Sequence, residues 1–263
     1  LLILVNNMKD KINLSKSTKE ERKKFFGEMV VENLTNATKR VEFLPKIKTL
    51  KRFDLDKIYT FEEIRNEVML FTSQPRFALN NNCQITHRIL NELKSCGIDW
   101  SVEPDGLHWV IDTRVTMTMP KQYPSIPGWH CDDVPREEKY KQPNFNLCRD
   151  DVVHYLTVVS DTKDPECTVS GTEFITSCET YDIDPTNVWG SLHNEVMQDD
   201  NKHTRIIKER EIIQFNQLAI HRATPSVKAG WRLFFRLSLT YREPANTIRN
   251  QVQIYVDPND AGW

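Results

Sequence analysis

From Gly97 onward the chain is a run of short β-rich stretches separated by turn residues, and this pattern leaves few folds open. Residues 98–103, 107–112 and 114–119 come first, with Pro104-Asp105-Gly106 as a turn between the first two. Further strands are expected at 152–159, 172–176, 204–208, 212–215, 218–221, 231–241 and 252–256. Many strands at short spacing, without helices between them, specify an antiparallel sandwich or barrel. The stretch 231–241 is the most informative. Arg232, Arg236, Ser238 and Thr240 fall on one face of a strand, and Leu233, Phe235, Leu237 and Leu239 on the other, with Phe234 the exception.

The first hundred residues have a different texture. Ser17-Thr18-Lys19-Glu20 is a capping-box pattern, followed by Phe25, Phe26, Met29, Val30 and Leu34 at helical spacing. Thr60-Phe61-Glu62-Glu63 repeats the signal, with Ile64, Val68 and Leu70-Phe71 continuing it. A helix is predicted over 84–95, with Ile85, Ile89, Leu90 and Leu93 on one side and Gly97 as its C-terminal cap. The expected organisation is a mainly helical region over 1–100 packing on a β core over 101–263. The Asp-, Asn- and Glu-rich stretch 177–201 is expected to be a long surface insertion in that core.

Composition narrows the class. Hydrophobic residues at 39% and charged residues at 27%, with 12 Phe, 7 Tyr and 6 Trp to bury, fit a folded globular chain. Only 8 Gly excludes collagen-like repeats. The longest apolar run is Leu1 to Val5, far below the roughly 20 residues of a membrane span, so no membrane partner is expected. The net charge of −2 argues against a general polyanion binder, although 14 Lys/Arg against 8 Asp/Glu over 9–57 make that region basic. Six cysteines without a CxxC pair argue against a structural zinc site. With no secretory signal read at the start, free thiols and a cytoplasmic setting are expected, and the sequons at Asn13, Asn33 and Asn36 are then chance matches. Met8 is a candidate start, which makes residues 1–7 an upstream extension.

The candidate chemistry lies in Trp129-His130-Cys131-Asp132. On a strand His130 and Asp132 point to the same face, an imidazole beside a carboxylate. His221, 89 residues after Asp132, ends an expected strand and is the best third ligand. Two histidines and one carboxylate on one face of an octahedral metal leave three open positions, the arrangement of non-haem Fe(II) oxygenases. Arg232 and Arg236 lie 11 and 15 residues beyond His221, after Val227-Lys228-Ala229-Gly230, which reads as a hairpin connection. Two guanidiniums on a strand whose other face is apolar are costly without an anion, and Ser238 can add a hydrogen bond.

On His130, Asp132, His221, Arg232 and Arg236-Leu-Ser238 the sequence resembles the Fe(II)/2-oxoglutarate-dependent dioxygenases, over roughly residues 107–256. Arg232 matches the spacing of phytanoyl-CoA-hydroxylase-like and taurine-dioxygenase-like members. Arg236-x-Ser238 resembles other members, including the methylcytosine dioxygenases. Gly171-Thr172-Glu173-Phe174 looks like the family's mid-barrel strand. The resemblance implies a double-stranded β-helix (jelly-roll, cupin-like) core with Fe(II) held by His130, Asp132 and His221. It also implies 2-oxoglutarate and O₂ as cosubstrates, and hydroxylation of a C–H bond with release of succinate and CO₂. One of Arg232 and Arg236 would hold the distal carboxylate of 2-oxoglutarate. Asp132 argues against halogenation, which needs a small residue there.

Lesser candidates have plainer readings. Tyr155 is a cosubstrate hydrogen-bond candidate, with core packing as the alternative; one of Thr116 and Thr118 is a candidate for the 2-oxoglutarate pocket. His193-Asn194-Glu195 is a rival metal motif within the polar insertion. His87, His108, His154 and His203 read as surface or core histidines, and Cys131 as a small buried residue facing away from the metal. Two rival functions remain: a cupin-type module that holds a metal or ligand without redox turnover, and a purely structural jelly-roll. A small-molecule substrate is preferred over a nucleobase or DNA, for which only the basic N-terminal region and the Arg-x-Ser pattern speak.

Overall fold

The computed structural model describes residues 38–138, 141–164, 166 and 168–256. The capping box at 17–20, the helix expected after it, the three sequons and Cys167 lie outside these residues. The described residues from Arg40 onward form one compact unit.

The strands in chain order are β1 (Lys39–Phe43), β2 (Lys48–Arg52), β3 (Leu70–Phe71), β4 (His108–Thr118), β5 (Gln122–Tyr123), β6 (Val153–Ser160) and β7 (Thr172–Ile175). They continue with β8 (Glu179–Ile183), β9 (Thr204–Ile206), β10 (Glu211–Asn216), β11 (His221–Ala223), β12 (Gly230–Thr240), β13 (Thr247–Ile248) and β14 (Tyr255–Val256). The helices are α1 (Phe61–Arg65), α2 (Pro75–Asn80), α3 (Gln84–Ser95) and α4 (Val188–Gln198). The main sheet has the order β2-β10-β6-β12-β4, antiparallel throughout, and a second antiparallel sheet has the order β11-β7-β9. The chain is thus mainly β, with several antiparallel sheets.

Alternation on the long strands divides the core. Trp109, Ile111 and Val115 of β4, Leu233, Phe235, Leu237 and Leu239 of β12, and Tyr155 and Val159 of β6 share one buried cluster. Ile64 of α1 and Ile85, Ile89, Leu90 and Leu93 of α3 cover it. The opposite face of the main sheet looks inward: Leu156 and Val158 of β6 and Ile213 and Phe215 of β10 meet Phe174 of β7. Most other inward positions of β12 and β4 are polar, Arg232, Arg236, Ser238, Asp112, Arg114 and Thr116 among them, with Phe234 and Val110 the apolar exceptions. Register pairs Arg232 with Thr116, Phe234 with Arg114 and Arg236 with Asp112.

Helix α3 occupies the residues the apolar spacing predicts. Cys83 gives it no side-chain cap. The buried Glu67 carboxylate does so from outside, accepting the amides of Ile85 (3.0 Å) and Thr86 (2.8 Å) at the positive end of the helix. Gly97 adopts φ +84°, the left-handed conformation that ends such a helix. At α1, Thr60 and Glu63 form the expected capping box. The helix stops at Arg65, however, because Leu70-Phe71 pairs with β13 and the Leu70 amide donates to Thr113 Oγ1 at 2.7 Å.

Several expectations differ from the structure. The described part of 1–100 contains three strands besides its helices, and β2 is an edge strand of the main sheet, so that sheet is not confined to 101 onward. Residues 98–103 form no strand, and 107–119 form one strand rather than two. The stretch 177–201 holds β8 and α4. Their Tyr181, Ile183, Val188, Leu192 and Val196 pack with Phe43, Trp129 and Ile220 in a core of their own, so apolar residues at helical spacing override the polar composition. The 227–230 connection is not a hairpin, since β11 and β12 lie in different sheets.

Leu237 is fully buried on the helix-facing side of β12, away from the polar face. Leu237→Ala is expected to lower the unfolding free energy by about 2–5 kcal/mol through lost burial and a residual cavity, measured by urea denaturation.

Candidate metal centre

The cluster of His130, Asp132 and His221, which could hold a metal ion, is assembled by backbone pairing between distant segments. The amide of His130 donates to the carbonyl of His221 at 3.0 Å, and the amide of His221 donates to that of His130 at 2.9 Å. This isolated antiparallel bridge sets the two imidazoles side by side, ring centroids 4.6 Å apart. His130 is therefore a single bridge residue rather than part of a longer strand. Cys131 points away into the core with Trp129, and Asp132 returns to the side of His130. Asp133 then turns the chain with φ +53°. Gln217 Nε2 and Tyr241 Oη both donate to its carbonyl, and its carboxylate pairs with Arg242 at 3.0 Å.

One donor atom each from His130, Asp132 and His221 lies within 4.8 Å of the other two. His221 Nε2 is 3.3 Å from Asp132 Oδ2. Each histidine uses its Nδ1 on a carbonyl two residues earlier: His130 on Gly128 at 2.8 Å and His221 on Ala219 at 2.9 Å. A carbonyl only accepts, so Nδ1 carries the hydrogen in both rings and each Nε2 presents a lone pair. Phe174 stacks on His221 at 5.0 Å, with Phe215 against its edge, fixing the ring plane. Two oriented lone pairs and a carboxylate suit a divalent first-row metal ion.

The charge states of His130 and Asp132 suit metal ligands. Burial, reinforced by neighbouring His221, pushes His130 down to about 4, so its imidazole is neutral at physiological pH. Burial works to raise the Asp132 carboxyl, but Arg236 and His221 outweigh it and hold it well below the usual carboxylate range. Arg236 bridges two acids: Nη1 pairs with Asp132 Oδ2, and Nη2 with Asp112 Oδ2 at 2.7 Å. Asp112 also pairs with Arg242 at 3.0 Å and accepts the Thr72 amide. Burial opposes its ionisation, yet the two arginines hold it at about 2.

The predicted site residues separate into two groups. His130, Asp132, His221, Arg232 and Arg236 line one cavity, together with Asp112, Arg114, Ser125, Thr172 and Phe234. Arg232 is buried at 2% exposure; its Nε donates to the Ser170 carbonyl at 2.6 Å. It forms no ion pair among the described residues, and burial pushes it down to about 9. A guanidinium keeps its proton in proteins, so that shift expresses the cost of burying a charge that nearby Glu209 offsets only in part. Ser238 and Tyr155 do not line the cavity. Ser238 is fully buried with Oγ 2.8 Å from His154 Nδ1. Tyr155 lies on the opposite, helix-facing side of the main sheet, 6.1 Å from Trp109. Its place on the odd-numbered face of β6 removes it from any cosubstrate at this metal. Of the two threonines, Thr118 is satisfied by Ser226 at 2.6 Å, whereas the buried Thr116 hydroxyl beside Arg232 has no partner among the described residues. His193 lies on α4, where its Nδ1 accepts the Trp129 amide at 3.3 Å, so it acts as a strut behind the site rather than a rival ligand.

Asp112 and Arg114 were not singled out from the sequence. Their signal was the inward parity of β4, legible only once 107–119 is read as one strand paired with β12.

No protein-family model matches the sequence, and no curated protein matches it. Among solved structures the chain is similar to the crystal structure of HygX from Streptomyces hygroscopicus with iron bound, at 8% identity over 79% of this chain and 84% of that one, with a TM-score of 0.35. A likeness this distant leaves the metal to be judged from the side chains just described. Among the described residues, no helix is long and apolar enough to cross a membrane.

His221→Ala is expected to abolish binding of Co(II) as a spectroscopic stand-in for a divalent ion, read by visible absorption, while Tyr155→Phe binds it like the parent protein. Retained Co(II) binding in His221→Ala would remove His221 from the ligand set.

Proposed function

We propose that this protein is a non-haem Fe(II)/2-oxoglutarate-dependent oxygenase with a double-stranded β-helix core, hydroxylating a C–H bond of a small molecule. The observation that carries the reading is the joining of two features in one cavity: the His130, Asp132 and His221 donors, and the buried, unpaired guanidinium of Arg232. A metal site alone fits a cupin-type binding module equally well. A buried cation beside the metal asks for an anionic ligand that reaches it, and a dicarboxylic keto acid meets that demand.

Bound Fe(II) would supply a site for chelating the keto acid and for activating O₂. The chain's own residues do the rest. His130 and His221, locked by Gly128 and Ala219, hold their lone pairs on the metal without rearrangement. Asp132 adds the anionic donor. Arg232 and the Thr116 hydroxyl receive the distal carboxylate, whose charge offsets the desolvation of Arg232. Arg236 has a different task. Its charge is already matched by Asp112 and Asp132, so it positions the Asp132 carboxylate instead of capturing cosubstrate. The sequence left the two arginines open; the difference in charge pairing supports Arg232 as the cosubstrate arginine.

The primary test is succinate formation from 2-oxoglutarate, with omission of iron or O₂ as controls. Iron binding without any succinate would reject the oxygenase in favour of the binding module. Arg232→Ala is expected to raise the KM for 2-oxoglutarate by about tenfold or more, the loss of one charge-assisted hydrogen-bonding group. Arg236→Ala is expected to weaken Fe(II) affinity while leaving the 2-oxoglutarate dependence of the fully metallated enzyme nearly unchanged. Equal effects of the two variants on the KM would reject the division of labour.

A further inference from the structure

Arg114 lines the metal cavity and also a second cavity of about 370 Å³, shared with Ile126, Arg249, Gln251, Val252, Gln253 and Tyr255. Arg114 and Arg249 form no ion pair among the described residues. Arg114 Nη1 donates to Ser125 Oγ at 2.8 Å, while Arg249 rests on the Phe71 ring, 4.7 Å from its centroid. The Nε of each is buried and without a hydrogen-bond partner among the described residues. Burial, then the nearby positive charges of Arg249 and Arg236, lower the Arg114 guanidinium from its ordinary value. Two like charges at the wall of one cavity, answered only in part by Asp112 and Asp132 near Arg114, are eased by an anion between them.

The charge balance of the whole centre points the same way. Arg236 and Arg242 are matched by Asp112, Asp132 and Asp133, whereas Arg114, Arg232 and Arg249 have no carboxylate in ion-pair contact. Five guanidiniums thus stand around three carboxylates. Fe(II) and doubly charged 2-oxoglutarate cancel each other, so loading the centre as proposed above leaves the surplus in place. With Arg232 assigned to the cosubstrate, Arg114 and Arg249 remain.

We infer that the substrate oxidised at this centre carries an anionic group, a carboxylate or phosphate, and that Arg114 and Arg249 receive it in the cavity next to the metal. Arg114, on the wall of both cavities, sets the anion beside the oxidation site. Arg249 closes the far side, and the side-chain amides of Gln251 and Gln253 offer further donors. A guanidinium pair of this kind accepts either oxyanion; phosphate, with the higher charge, should bind more tightly. This substrate assignment rests on the oxygenase reading, but the anion site itself does not.

The test uses the protein loaded with Co(II) and 2-oxoglutarate, so that the Arg232 site is filled. Inorganic phosphate and acetate are titrated in separate arms by calorimetry. Saturable binding of at least one is expected, at a rate of one anion per chain, not displaced by more 2-oxoglutarate. Arg249→Gln is expected to weaken it by about tenfold or more, the loss of one charge-assisted contact. Arg249→Lys should restore part of it, and Co(II) and 2-oxoglutarate affinities should stay at parent values in both. Absence of binding in the parent protein, competition by 2-oxoglutarate, or unchanged binding in Arg249→Gln would each overturn the anion site. Anion binding that depends on Arg249 in a protein that makes no succinate would instead overturn the oxygenase reading, and the substrate assignment with it.

Discussion

Two backbone hydrogen bonds, exchanged between His130 and His221, hold this centre together. They tie the segment leaving β5 to the start of β11, and everything chemically notable follows from that closure. The rings come side by side, Asp132 swings in beneath them, and inward positions of β4 and β12 supply the surrounding charges. No side-chain attraction is needed to recruit the second histidine. The main chain fixes the approach that the side chains then use.

The polar face of β12 bears the energetic consequence. A strand with apolar side chains on one face and arginines on the other would ordinarily place the arginines in water. Here both faces are covered, and each buried charge is either neutralised in place or left to attract a ligand. Arg236 and Arg242 belong to the first kind, shared among Asp112, Asp132 and Asp133. Arg232 belongs to the second. This division separates the arginines that have carboxylate partners from one that has none among the described residues, and spacing along the sequence could not draw it.

Much of the centre was legible beforehand for a simple reason: strand parity is a property of sequence. The faces of β12 and the boundaries of α3 follow from counting residues, whereas His130 sits at a single bridge and Asp132 in a bend. What escaped was whatever depends on pairing between distant segments. Tyr155 sits one residue from the inward His154, and only the pairing of β6 with its neighbours shows which face of the sheet each takes. Asp112 and Arg114 fell in two apparent short strands that are one long strand once β12 lies beside them. The apolar positions of α4 were masked by the acids and amides around them, since a helix needs only one stripe to dock.

The hydrogen bonds from each Nδ1 to a carbonyl two residues back have a quieter implication. In many metal sites a carboxylate from elsewhere in the sequence steers the histidine, and losing it degrades the site. Here the steering groups are main-chain oxygens, which no substitution at Gly128 or Ala219 deletes. Such a centre can drift widely in the identity of its neighbours while its geometry persists. Distant descendants of one ancestor could therefore keep the same chemistry long after the text around it has become unreadable.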